Sequence, residues 1–269
     1  GPFKWPIVGT LPDFFSRGGV DGMSAVHESM YRDYGPIYGM SLMGEDELVV
    51  SDPRVFETSV LRNEGRFPIG NAEFVTTFVD YYRANDLNTA LKGTARGSDW
   101  KEWRRALNPD LYVLWDAYLP AIAEAAAAAS RAAGEQVNGG RVRLDEFLSR
   151  LAFDMFSAVL YGKSPGTADG ARADPEDLDF VRSTQKAFDI TGALMTDPLQ
   201  KLLPGGLPQQ FAESMDRTFG FATARTAEFV EEARRCPVSN LAGRSFVRRL
   251  VDRDVLSDEE ISEVVGPLL

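Results

Sequence analysis

The chain has 269 residues, 44% of them hydrophobic, which suffices for one large core or two ordinary ones and lies far from the composition of a disordered chain. Its 40 acidic residues against 29 basic ones leave a formal net charge of -11, which argues against a nucleic-acid partner held by its phosphates. One cysteine excludes an internal disulfide, and a single histidine beside it excludes the usual structural zinc sites.

Residues 1 to 12 set Pro2, Pro6 and Pro12 among Phe3, Trp5, Ile7, Val8 and Leu11, which predicts an extended, turn-rich apolar strap rather than a helix. Met23, Val26, Met30, Tyr31 and Tyr34 recur at helical spacing and stop at Gly35-Pro36. His27 sits on that helix and reads as a solvated or packing residue, because no second histidine exists to share a metal. Ile37 to Met43 and Glu47 to Ser51 read as a hairpin joined by Gly44-Glu45-Asp46, followed by a helix from Asp52-Pro53 to about Leu61 with Asp52 as its N-cap. Asn63 to Arg96 reads as irregular apart from a short helix over Phe74 to Tyr82.

Gly97 to Pro109 predicts a short helix loaded with Trp and Arg. Ser98 or Asp99 can cap it, Asp99 with Glu102 fits a capping box, and Pro109 is expected to end it. Trp100 and Arg104 stand four apart, so an indole N–H and a guanidinium share one face and can meet the same carboxylate or phosphate. The alternative is a plain Trp–Arg stack on the helix surface. Trp103 and Arg105 lie on other faces, Trp103 reading as core and Lys101 and Arg105 as solvated charges.

Beyond Pro109 the pattern is almost wholly helical. Trp115 to Ala133 is Ala-rich, with Pro120 as a start or kink. Leu144 to Tyr161 places Leu144, Phe147, Leu148, Leu151, Met155, Phe156, Val159 and Leu160 on one stripe that reads as its buried face, ending at Gly162. Ser164 to Pro175 is the best linker candidate. Helices are expected over Asp177 to Met195, Gln209 to Arg235 and Arg244 to Val251, with an apolar Pro/Gly-broken loop over Asp197 to Pro208. Ser257-Asp258-Glu259-Glu260 is a second capping box ahead of Ile261, Val264, Val265 and Leu268. No apolar run approaches the roughly 18–20 residues of a membrane span. Opening at Gly1 without Met and closing at Leu269 inside an apolar helix, the chain reads as a segment of something longer.

The ordered set is informative: the Trp5 strap, Tyr34-Gly35-Pro36-Ile37-Tyr38, the hairpin, Asp52-Pro53, Gly65-Arg66-Phe67-Pro68, then Gly97-x-x-Trp100-x-x-x-Arg104-x-x-Leu107-Asn108-Pro109. It resembles the N-terminal half of a cytochrome P-450, in register over nearly all of the chain and closest to the mitochondrial class, to which the Pro198 to Pro204 loop is also similar. The resemblance implies a mainly α fold with a small β-sheet edge, running from helix A to the start of helix I. The whole chain, 1–269, would be one incomplete domain.

By that resemblance the Trp100 helix is helix C, and Trp100 and Arg104 hydrogen-bond a haem propionate. Phe74, Phe78, Leu91, Phe188, Leu194 and Met195 are then candidate walls of the substrate pocket, with ordinary core as the other reading of each. The family's Phe-x-x-Gly-x-Arg-x-Cys-x-Gly loop has no match here, and Cys236, ahead of Pro237 and without those glycines, is not expected to be the axial ligand. The oxygen-activating pair of helix I and the Glu-x-x-Arg helix are also missing, so no catalytic or metal-ligating residue is assigned.

A complete protein of this type would insert one atom of dioxygen into an apolar, sterol- or lipid-like substrate, taking electrons from a ferredoxin or a reductase. Lys101 and Arg105 would then help to dock an acidic donor. The segment alone is expected to be inactive. The implied location is the mitochondrial inner membrane surface, with the endoplasmic reticulum membrane as the alternative. Two other readings stay open: a haem-free helical interaction module, and a peripheral membrane-binding protein that uses the Trp5 strap and the Asp197 to Pro208 loop as apolar feet.

Overall fold

The computed structural model describes residues 1–19, 22–42, 45–64, 76–113, 117–138, 143–170, 173–196, 205–235 and 245–268. They form two compact units, Gly1–Pro68 and Ile69–Leu269.

In the first unit the Pro-rich start folds into a turn in which Trp5 and Gly9 exchange backbone hydrogen bonds of 2.8 and 3.0 Å. Gly9, at φ +62°, lies against β1, where a Cβ would meet the Ser41 carbonyl at 2.2 Å, so only glycine fits. The strap is shorter than expected, because helix α1 (Leu11–Ser16) already starts at Leu11. Helix α2 (Met23–Tyr34) ends at Gly35, φ +86°, and strands β1 (Ile37–Leu42) and β2 (Glu45–Val50) pair antiparallel from Ile37↔Val50 to Leu42↔Glu45. The second strand therefore begins two residues earlier than the sequence pattern suggests. Phe14, Val26, Met30, Tyr38 and Met40 make the core of this unit. His27 packs as expected of a helix-borne histidine, its Nδ1 2.8 Å from the Tyr38 hydroxyl. Helix α3 (Pro53–Ser59) is capped by Asp52, whose carboxylate accepts from the Arg54 and Val55 amides.

The second unit is a set of helices joined by short turns and loops among its described residues: α4 (Thr76–Ala84), α5 (Asn88–Thr94), α6 (Ser98–Leu111), α7 (Leu119–Asn138), α8 (Leu144–Tyr161), α9 (Pro175–Thr196), α10 (Leu207–Arg235), α11 (Phe246–Arg253) and α12 (Asp258–Leu268). The long α10 is its strut. It buries Phe211, Met215, Phe219, Ala222, Thr226, Val230 and Ala233 in a stripe at 3.6-residue spacing, against α9 and α12. One core gathers Leu107, Tyr118, Leu160, Tyr161, Val247, Leu250, Ile261 and Val264. A second gathers Tyr81, Tyr82, Ile190, Leu194, Phe211, Met215 and Phe219.

Further expectations differ from the structure. Helix α5 falls within the stretch read as irregular; at seven residues with Gly93 near its end, it is too short to show a period. Helix α8 presents Phe153, Asp154, Ser157, Ala158, Leu160 and Tyr161 to the interior, while Leu144, Leu148 and Phe156 are exposed. Its buried polar positions hide the true face: Asp154 accepts from the Thr167 amide and hydroxyl and the Ala168 amide at 2.7–2.9 Å. The same bonds pin the 164–170 segment to α8, so it is not a linker; the division between units falls at Pro68–Ile69. The predicted box at the start of α6 does not form, its N-cap being Gly97 with no side-chain bond.

Candidate functional site

Helix α6 starts one residue earlier than a Ser98 cap allows and two earlier than an Asp99 cap allows. Gly97 occupies the N-cap position at φ +69°, a conformation that suits glycine, and the Ser98 hydroxyl turns to Asp99 at 3.2 Å. Pro109 does not end the helix either, since α6 runs on to Leu111.

On this helix Trp100 and Arg104 meet as their spacing predicts. The Arg104 guanidinium lies 5.4 Å from the Trp100 ring centroid, and its Nη2 donates to the hydroxyl of Tyr112, a residue 71% exposed, at 3.0 Å. The indole Nε1–H of Trp100 is buried and has no hydrogen-bond partner among the described residues. The expected stack and an unsatisfied donor thus occur together. Trp103 is not on a separate face: its ring stacks on Trp100 at 5.4 Å and 17°, as i, i+3 neighbours can, and its own Nε1–H is also buried without a partner. It packs on the core as read, with α5 so close that a Cβ on Gly93 would sit 3.2 Å from the indole.

Of the six candidate pocket residues, Phe78, Leu91 and Leu194 come together around Tyr82, Phe211 and Phe219, Phe78 lying edge-on to Phe211 at 5.2 Å. Phe188 touches Phe78 at 5.5 Å, but it is 62% exposed and also lines a cleft of about 570 Å³ between α8 and α9. Phe74 lies outside the described residues, as does the side chain of Met195; Cys236 and the 197–204 part of the apolar loop lie outside them too. The sequence reading missed Asp110 and Arg253, an ion pair with Asp110 buried that joins the end of α6 to the last residue of α11. No spacing signal links residues so far apart in the chain.

The cytochrome P450 family model matches residues 1–269. The chain belongs to the cytochrome P450 family. A similar protein is "Cytochrome P450 315a1, mitochondrial" of Drosophila melanogaster, 24% identical over 210 residues, an alignment covering 72% of this chain and 39% of the relative. The P450 chain therefore spans well under half the length of that relative. Its helical second unit and the two-stranded antiparallel sheet of its first unit agree with the N-terminal part of the P450 fold. Among the described residues no helix is long and apolar enough to cross a membrane.

Proposed function

We propose that this chain supplies the N-terminal part, within a single domain, of a haem-thiolate monooxygenase acting on an apolar, sterol- or lipid-like substrate, and that Trp100 and Arg104 hold a haem propionate. The observation that carries the reading is the buried, unpartnered indole N–H of Trp100 with a guanidinium over its ring. A buried donor without an acceptor costs about 1–3 kcal/mol, and a carboxylate between the two groups would satisfy it with charge-assisted bonds. The donor set therefore fits a propionate. Bound haem with a cysteine thiolate supplies the reduction of dioxygen and the oxygen insertion. The chain's own residues bind and orient: Trp100 and Arg104 grip the acidic edge, while Phe78, Leu91, Leu194 and the neighbouring Phe188 give an apolar wall that excludes water. Phe74 and Met195 are proposed for the same wall from their sequence positions.

The thiolate is proposed to come from residues outside 1–269, since Cys236 lacks the flanking glycines of the ligand loop. The segment alone is then inactive. A ferredoxin as electron donor and a mitochondrial location are supported by the mitochondrial name of the relative. Contact with a membrane surface is supported by the tip of the first turn, where Ile7 is 96% exposed at φ +70° between exposed Trp5 and Val8. Co-flotation with anionic vesicles, lost in Trp5→Ser/Ile7→Ser, would support that contact; unchanged flotation would sink it.

The clamp is tested by haem transfer from the full-length protein to a haem-scavenging globin. Trp100→Phe and Arg104→Ala should each speed release by about tenfold or more, as loss of a charge-assisted hydrogen bond implies. Release at the wild-type rate in both variants would overturn the assignment.

A further inference from the structure

Helix α6 contains a proline where it should break. Pro109 has no N–H to give the Arg105 carbonyl, and its ring crowds that carbonyl, yet the helix continues to Leu111. Contacts from outside α6 straddle the fault. Arg253, the last residue of α11, donates from Nη1 to the Ala106 carbonyl at 2.8 Å on one side of it and to the Asp110 carboxylate on the other. The Tyr118 hydroxyl donates to the Asp110 carbonyl at 2.8 Å. Asp110 is 3% exposed, so its carboxylate is withdrawn from water with the Arg253 guanidinium as its counter-charge. The far end of the brace is firm: α11 is capped by Ser245 and buries Phe246, Val247 and Leu250 completely or nearly so.

Ala106 stands two residues after Arg104 and six after Trp100. A proline kink of about 20°, acting over a lever of about 9 Å at 1.5 Å per residue, displaces the indole by about 3 Å, enough to lose a hydrogen bond. We infer that Arg253 is a positioning residue: it splints the Pro109 fault of α6 and thereby sets where Trp100, Trp103 and Arg104 point. Its consequence for haem rests on the clamp reading above; the splint itself does not.

The two are separable in the full-length protein. In the haem-free form, Arg253→Ala should speed amide hydrogen exchange across residues 100–112 by about tenfold while leaving α9 and α10 unchanged. Pro109→Ala, which restores the missing N–H, should bring Arg253→Ala back to within about twofold of wild type, the non-additivity expected of coupled sites. In the holo form Arg253→Ala should speed haem release, and Pro109→Ala should relieve that too. Exchange at the wild-type rate in Arg253→Ala, or a defect that Pro109→Ala does not relieve, would overturn the splint. If Trp100→Phe and Arg104→Ala leave haem release unchanged while the exchange result holds, the clamp fails and the splint stands. Should Arg253→Ala not fold, Arg253→Gln with Asp110→Asn leaves no unpaired buried charge and is read by the same exchange criteria.

Discussion

Trp100 carries two opposed effects at one atom. While its N–H is buried without an acceptor it weakens the fold, and when a carboxylate meets it the same group strengthens ligand binding. Trp100→Phe is therefore expected to leave the haem-free protein as stable as wild type or slightly more so, by thermal unfolding, while haem release quickens. A Trp that served only as core would show a loss in both. Tyr112, the exposed partner of Arg104, belongs to a different class. Tyr112→Phe removes one solvent-facing acceptor and should change stability by no more than about 0.5 kcal/mol in urea unfolding. The Trp100–Arg104 pair was legible because four-residue spacing on a helix dictates a shared face. The unsatisfied state of the indole was not legible, because it depends on what surrounds the helix.

At the scale of elements, caps and crossings decide. The second capping box forms as read: the Ser257 amide donates to Glu260 Oε2 at 2.8 Å, and the Glu260 amide donates to Ser257 Oγ at 3.2 Å. Ser257→Ala should cost about 1 kcal/mol by urea unfolding. The first box fails because Gly97, free to take positive φ, starts α6 a residue early and Ser98 is spent on Asp99. Cap residues mark a helix start to within a residue or two, and neighbouring backbone freedom settles the rest. Helices α10 and α12 cross so tightly that a Cβ on Gly266 would lie 2.8 Å from the Phe219 ring, which is itself packed in the core. Gly266→Ala should cost about 1–3 kcal/mol through overpacking, read as a lowered unfolding midpoint.

For the whole molecule, burial of phenols makes stability fall at alkaline pH. Burial pushes Tyr82, Tyr118 and Tyr161 up to about 12. In the unfolded chain a phenol ionises near ~10. Between those values the folded state binds more protons than the unfolded one, so stability is full below the unfolded value and falls as the pH rises through the window. Thermal unfolding scans should show midpoints dropping steadily above pH ~10, and tyrosinate absorbance should show these three rings ionising together with unfolding.

Periodicity, caps and the order of short motifs determined the helical class, the hairpin, most helix limits and the facing of Trp100 and Arg104, because each depends on residues within a few turns of one another. The tertiary structure alone decided which face of α8 is buried, that α6 survives Pro109, and that Asp110 and Arg253 are partners. The last two outcomes turn on contacts more than a hundred positions apart in the chain, and the first on bonds from Asp154 to Thr167 and Ala168 and on burial by neighbouring helices; these override the local preference of a proline or an apolar stripe.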